Sequence, residues 1–479
     1  MIPKYLEQIF TYFKNLTLNA VGVHRELYQL LEDKDVAKAL QLLQNRDTDV
    51  DNAIREYNPQ THRVMFRPNK PRKNDKPYIT EKLPRTRQRY INEVELFFLL
   101  GNPIQWRRVK GDDEAFDLFK TFLKEQHFNS RMRQAKRLAG SETESAKLYH
   151  IYRDERTHKP QVKCVVLARS TGYRLRPLFD QYGNLIAMAY GYVLHEGERN
   201  VRHWDFQTNE AIYNCRAGRF GWEVEQYPNP TGKINIIYYQ QEKAWNGVEP
   251  RIDREEMLDS KSGDTNNYFS DPIALATADV IDNLVDPDKP GKLIQLNGDR
   301  SRFEYVMPPL ASEARKAEKS DLHDSILFDT FTPDLDFEKL RGMGTLSGTA
   351  IRNSLILGYI KRDNRKELYE ELVAREANLI IEILKYLHPD KQRELDELEV
   401  GFDFAEPFVD DKRSQWAAIA QLFAAGLLSL ESAVTMLAIT DAPQEEIEKI
   451  QRMQAERQAA EQGATQLGQT AVPQQQEHE

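Results

Sequence analysis

The sequence predicts an α+β protein, predominantly helical, on three observations. Apolar residues recur at three- and four-residue steps through residues 5–57 and again from Leu346 to Leu387, which is helical spacing. Between Leu148 and Tyr239 the texture changes to short β-type runs separated by turn residues. Near the end, 463–479 is Gln-rich with too few apolar residues to offset the entropy of ordering, so disorder is expected there.

Taken in order, Ile9, Phe10, Phe13 and Leu16, then Leu27, Leu30, Leu31, Ala39, Leu42 and Leu43, mark the N-terminal helices. From Arg63 to Arg89 ten Lys or Arg face only Asp75 and Glu81, and prolines at 68, 71, 77 and 84 predict an extended arm or loop. A helix over Ile91–Leu100 is closed by Gly101-Asn102-Pro103, and another spans Asp113–Phe128. The β-type runs are Val162–Leu167, Leu185–Leu194, Glu210–Cys215, Trp222–Glu225 and Ile234–Tyr239. Helix signals return at Ile252, pause at Gly263 and resume after Asp271-Pro272, where Asp suits a cap and Pro the first helical position. A Pro/Gly-punctuated module at 285–308 carries two strand-like pieces, Leu293–Leu296 and Arg302–Val306, and a charged helix follows over Leu310–Phe328. In Leu346–Leu387 the stripe Leu368, Leu372, Leu379, Ile383 and Leu387 predicts the strongest helix, with a kink at Gly358. Phe402, Phe404 and Phe408 mark a strand-like piece, Ser414–Met436 a helix, and Gln444–Gln462 a polar helix.

The composition narrows function. At 479 residues the chain has room for about three domains of ~150 residues. Its net charge of −9 argues against a protein that clings to nucleic acid over its whole surface, because tight binding needs phosphate neutralisation by Lys and Arg. Two cysteines, Cys164 and Cys215, provide no disulfide framework. The N-terminus lacks a secretory signal pattern, and Trp416–Ile439, interrupted by Gln421, Ser429 and Glu431, reads as buried helix rather than a membrane span.

Several motifs fail on inspection. Gly232-Lys233 and Gly291-Lys292 have Tyr227 and Asp286 where a phosphate-binding loop needs its first Gly. Around Ser347 the order is G-x-x-S-G, not the nucleophile elbow, so Ser347 reads as a helix cap. Asp47-Thr48-Asp49-Val50-Asp51 starts like a calcium loop but has Asn52 and Asn58 where Gly and Glu belong; Asp286-x-Asp288 ends on Asn297. No zinc spacing occurs among the histidines and cysteines. The basic 63–89 segment, with Phe66 and Tyr78 interleaved, is the one local patch suited to a polyanion; the alternatives are a solvated arm or one packed on an acidic partner.

From Trp245 onward the order of features resembles the portal proteins of tailed bacteriophages. Phe331-Thr332-Pro333-Asp334, a short loop, then Ser347-Gly348-Thr349-Ala350-Ile351-Arg352 opening a long helix is similar to the family's central passage. Val248-Glu249-Pro250-Arg251-Ile252-Asp253 and Asp264–Phe269 are similar to the stretch upstream of it. Gly426–Ser432, Asp441 and Glu445-Glu446-Ile447-Glu448 resemble its ending, and Leu99–Pro103 an early element. Each piece is weak alone, but they keep the family's order over roughly 90–460.

The resemblance implies a multi-region portal fold assembling as a cyclic ring, a dodecamer, around a channel for double-stranded DNA. The expected wing is 1–250 plus 346–425, with stem helices at 251–284 and 309–331, a clip at 285–308 and a crown after Gly426. A tunnel loop within Thr332–Thr345 would present Asp334, Asp336, Phe337, Glu338, Lys339, Leu340, Arg341, Gly342, Met343 and Gly344 to the channel, before a helix start at Ser347 and Gly348. Clip residues Asp288, Lys289, Lys292, Asp299, Arg300 and Arg302 would dock the motor. Gly263 and Asp271-Pro272 put the continuity of the first stem helix in question. Implied partners are further copies, the terminase large subunit, major capsid and scaffolding proteins, head-completion and tail adaptor proteins, and DNA passing non-specifically. The resemblance implies neither catalysis, metal, cofactor nor membrane, and a place at one vertex of the virion after synthesis in the bacterial host cytoplasm. Composition alone also allows a cytosolic multi-domain scaffold or adaptor without a DNA conduit, or a metal-dependent nucleic-acid-processing enzyme.

Overall fold

The computed structural model describes residues 26–72, 75–197, 199–269, 273–277, 280–282, 295–297, 302–306, 312–336, 341, 353–407, 412–437, 444 and 446–455. The chain divides into two units, one of residues 1–341 with 354–407 and one of 342–353 with 408–479. The expected wing segment 346–425 straddles that division. The Gln-rich 463–479 tail and the first helical stripe, Ile9–Leu16, lie outside the described residues.

In the first unit, a helix over 26–32, α1 (Val36–Leu42) and α2 (Asp47–Tyr57) follow the predicted stripe. The Asp-rich 47–51 segment is the first turn of α2. Asp47 there meets Arg176 at 2.5 Å and Arg169 at 3.4 Å, so it ties a helix to a sheet rather than holding calcium. The 63–89 segment is no solvated arm: a turn of 3-10 helix leads to a hairpin, β1 (Lys70–Arg72) with β2 (Asp75–Tyr78), and the chain then runs irregularly to α3 (Arg87–Leu100). Next come β3 (Gln105–Lys110), α4 (Asp113–Glu125) and α5 (Phe128–Glu142).

The β region is two antiparallel sheets. One has order β11-β4-β5, from β4 (Glu144–Arg153), β5 (Pro160–Leu167) and, later in the chain, β11 (Ile236–Gln240). The other is a meander of β6 (Arg174–Phe179), β7 (Leu185–Glu196), β8 (Arg199–Gln207), β9 (Ala211–Ala217) and β10 (Trp222–Pro228). Period-two alternation gives the meander two apolar faces. Ala187, Ala189, Trp204 and Phe206 pack on Leu27, Leu31, Val36 and Ala39, while Met188 and Tyr190 pack on Leu148, Ile236 and Tyr238 of the three-stranded sheet.

α6 (Glu249–Phe269) runs uninterrupted through Gly263 and stops before Pro272. A helix does not resume there. Instead β12 (Ile273–Thr277) and β13 (Val280–Asp282) pair antiparallel with β15 (Arg302–Val306) and β14 (Gln295–Asn297), a nested hairpin whose pairing outweighs the local helix signal. The charged helix is α7 (Ser312–Asp329). It lies beside α6 through Arg254–Glu318 at 2.7 Å, Lys319–Asp259 at 2.8 Å and an Arg251–Asp329 pair.

α8 (Ile356–Leu387) carries the predicted stripe into the main core, where Leu379 and Ile383 meet Leu99, Phe122 and Met132. Gly358 lets α8 approach α3 closely: a Cβ there would sit 2.3 Å from the Phe98 ring. After the one-turn α9 (Gln392–Asp396), β16 (Glu399–Asp403) pairs with β3, placing Phe402 against Trp106.

In the second unit, the expected helix 414–436 is two helices, α10 (Lys412–Ala424) and α11 (Leu430–Leu437), parted where Gly426 adopts φ +72°. Nor is it buried in the single chain. Trp416, Phe423, Leu427 and Met436 are exposed, Leu427 by 74%. Residues 444 and 446–455 are helical, as expected of the polar 444–462 segment.

Candidate functional site

α6 is the element around which the candidate site is built, because opposed charges converge on it. Its sequence places Glu255, Glu256, Asp259 and Asp264 within two and a half turns, and the basic, proline-rich segment lies along them. Arg67 reaches Asp264 at 2.7 Å and Arg85 reaches Asp259 at 2.5 Å. Arg87 holds Glu255, which is fully buried, through two nearly parallel bonds of 3.0 and 2.7 Å. Backbone amides join in: those of Glu81, Leu83 and Arg85 donate to Asp264, the Ser260 hydroxyl and Glu256. The prolines now have a reason, since they keep the segment extended and leave its remaining amides free to bond the helix instead of each other. Gly263 costs a helix about 1 kcal/mol, and contacts on both sides of it at Ser260 and Asp264 offset that.

His62 completes this face. Its Nδ1 lies 2.6 Å from Glu256 and its Nε2 2.7 Å from the Glu56 carbonyl, so the imidazolium form satisfies both acceptors. Burial pulls the His62 pKa down, but hydrogen bonding and charge from Glu256 outweigh it and the net shift is upward.

At the other end of α7 the chain enters residues 332–336, the start of the segment expected to form the tunnel loop, and this base is fixed. Thr332 is fully buried, its hydroxyl 2.9 Å from that of Thr330 and 3.2 Å from Lys361 Nζ. The Tyr90 hydroxyl donates to the Pro333 carbonyl and accepts from the Leu335 amide, both at 2.8 Å. Asp334 lies 3.1 Å from His323. Lys361 connects this base to a buried cluster on α3, α5 and α8. Glu95 is there 2.5 Å from Lys136, 3.1 Å from Arg365 and 3.5 Å from Lys361. Burial would raise the Glu95 pKa, yet these three cations hold it well below the usual carboxylate range. Burial, aided by Lys136 and Arg365, lowers Lys361 to about 8 against the pull of Glu95. About three turns beyond Arg365 on α8, buried Glu376 meets Lys147 at 2.5 Å and the hydroxyls of Tyr149 and Tyr239.

Of the residues expected in the tunnel loop, Asp334 and Asp336 sit together, the Asp336 amide 3.2 Å from the Asp334 carboxylate. Asp334 belongs to the anchored base rather than a free tip. Arg341 is exposed and helical, and Phe337, Glu338, Lys339, Leu340, Gly342, Met343 and Gly344 lie outside the described residues. So do Ser347 and Gly348 and the clip residues Asp288, Lys289, Lys292, Asp299 and Arg300; Arg302 opens β15, opposite Thr277. Sequence reasoning missed Glu95, Lys136, Lys361, Arg365 and Glu376. Their signal was present: Glu95 interrupts the apolar run 91–100, and Glu376 falls between Leu372 and Leu379 on the core stripe of α8. Among the described residues no group of His, Cys, Asp and Glu is placed to hold a metal ion, and no helix is long and apolar enough to cross a membrane.

A family profile described as "Phage portal protein, SPP1 Gp6-like" matches residues 31–460, nine-tenths of the chain. The chain belongs to this phage portal family. The match reaches further toward the N-terminus than the motifs alone, and so takes in the basic segment as well. No curated protein gives a significant match. Among solved structures, the chain is similar to one in the neck of a native GTA particle with C12 symmetry, at 11% identity and a TM-score of 0.39, covering 74% of this chain and 91% of that one. Another, from the virion of a native gene transfer agent particle, has 12% identity and a TM-score of 0.38, covering 82% and 94%. Both overlaps are loose, and the family assignment rests on the profile.

Proposed function

We propose that copies of this portal-family chain close into a ring at one capsid vertex, through which double-stranded DNA is packaged and ejected. The observation that carries the reading is the family match, which spans the helix, β-module, helix succession of 249–329 and the anchored loop after it. In this reading α6 and α7 are the stem and the nested hairpin of β12–β15 is the clip, which therefore opens at Ile273 rather than at the expected 285; residues 332–345 form the tunnel loop and the helices after Gly426 are the crown. The remainder of the first unit is wing. The clip would receive a separate terminase, whose ATP drives packaging, and later the head-completion or tail adaptor proteins.

Charge supports a conduit. Tight phosphate binding would stall sliding DNA, and the chain is acidic overall. Within the one basic, proline-rich stretch, Arg67, Arg85 and Arg87 are paired with carboxylates of α6, which lessens the pull of that stretch on DNA. A fixed loop base also suits the role, because it lets a loop tip yield to the duplex without loosening the ring. The test is in vitro packaging: capsid shells built with this chain, supplied with terminase, ATP and linear duplex DNA, should protect that DNA from nuclease. Protection equal to that of shells lacking the chain would overturn the proposal.

A further inference from the structure

Where the apolar core between the two sheets gives out, it opens into a cavity of about 380 Å³ whose lining changes character. Tyr190 and Tyr192 project from β7 at alternate positions, and Asp205 and Gln207 do so from β8, on the same face of the sheet. Tyr227 and Tyr152 stand at the rim, about half and two-fifths exposed. Asp205 is buried, and the hydroxyl of Tyr192, a ring that stacks on His203 on its own sheet, donates to it at 3.2 Å; the Tyr190 ring lies beside that of Tyr192, so aromatic rings and the carboxylate are held together. Gln207 is 96% buried, and its Oε1 has no hydrogen-bond partner, which leaves an acceptor without a donor. The cationic residues on the lining are few. Arg153 is exposed at the mouth, and burial lowers the pKa of His150, which favours its neutral form.

A cavity walled by tyrosine faces, with a carboxylate and an unmet amide carbonyl at its floor, lacks a donor bearing positive charge. We propose that it binds the guanidinium group of an arginine, which stacks on Tyr192 and Tyr190 while donating to Asp205 and Gln207. Arginine suits the site better than lysine: its flat fork stacks on aromatic rings and can donate to two acceptors at once, and it is more weakly hydrated. The site is independent of the DNA channel reading, since it uses none of the loop, stem or basic-segment residues.

The test is a ligand-observed NMR titration of the full-length, assembled protein with N-acetyl-arginine amide. Its neutral isostere N-acetyl-citrulline amide and an acetylated Gly-Gly-Arg-Gly amide are run beside it. The arginine compound should bind at least about tenfold more tightly than citrulline, as a charged donor bonded to a carboxylate and stacked on aromatic faces requires. Asp205→Asn should remove about tenfold of that affinity. Since Asp205 also holds Tyr192, the rim change Tyr227→Ala serves as a second variant, and a weakening of about threefold is expected. Tighter binding of the peptide would identify a polypeptide arginine as the occupant, whereas equal binding would identify a free guanidinium compound; both support the site. Equal binding of arginine and citrulline, absence of binding, or indifference to both variants would overturn it.

Discussion

Lys361 of α8 donates a 3.2 Å hydrogen bond to the hydroxyl of Thr332, the first residue of the proposed tunnel loop. Because Lys361 also faces Glu95, the loop base is joined to a buried charge cluster shared by three helices. Replacing Glu95 by Gln strands three cations, so a loss of about 3–5 kcal/mol is expected, the scale for breaking a buried ion pair. Lys361→Met leaves Glu95 with Lys136 and Arg365 and should cost less. Denaturant unfolding of the two variants checks the order, and the reverse order would show that the loop base draws little from the cluster.

The His62–Glu256 contact predicts a pH response. The folded pKa of His62 lies above its usual value near 6.5, so the stability it lends is fully present below that value and is lost as pH rises through the raised folded one. The urea midpoint of the protein should fall over that interval relative to a His62→Gln variant, whose own curve should lack this component. Parallel curves would mean that His62 takes up its proton equally well in the folded and unfolded protein, and a rise with pH would mean that the fold holds it neutral.

Arg85 and Arg87 are expected to matter for α6 and little for DNA. Alanine at either position should lower thermal stability, Arg87→Ala the more because it takes both short bonds from buried Glu255 and leaves only Arg85, 3.6 Å away, while DNA retention on a native gel stays unchanged. A loss of retention without a loss of stability would return the basic segment to the DNA.

The tip of the loop is expected to handle the genome rather than hold the ring. Deleting Phe337–Met343 should spare assembly, because the contacts at Thr332 and Pro333 remain, yet impair packaging or retention of DNA. Normal packaging by rings carrying the deletion would refute the assignment, and collapse of the ring would make the segment structural.

How far the sequence foretold this structure depended on whether a signal was local. The stripe of α8 and the Phe-rich piece around 402 were legible because each element carries its own pattern. β4, β6, β8 and α5 were not foreseen. β4 opens on Glu144-Ser145-Ala146-Lys147, polar groups whose partners, such as Glu376, lie far along the chain. β6 contains Arg176 and Pro177, and β8 is mostly polar, its place secured by neighbours on both sides. Ile273-Ala274-Leu275-Ala276 after Asp271-Pro272 reads locally as helix, and only pairing with β15 makes it a strand. The basic segment is extended as expected only between its 3-10 turn at Arg63–Phe66 and the start of α3 at Arg87, and its acidic counterpart was in view only as a line of carboxylates on a helix nearly two hundred residues away. For the site, the order of motifs located the loop, whereas its anchoring depends on side chains from α3 and α8 that no spacing rule connects.

The exposed Trp416, Phe423, Leu427 and Met436 of the second unit point to association between chains, and the central claim is that this association closes. Negative-stain electron microscopy of the purified full-length protein tests it most directly. End-on views should show closed rings with a central channel and cyclic symmetry, twelve-fold by family expectation, persisting across moderate salt. Monomers or open, non-closing chains at every concentration and salt would contradict the account.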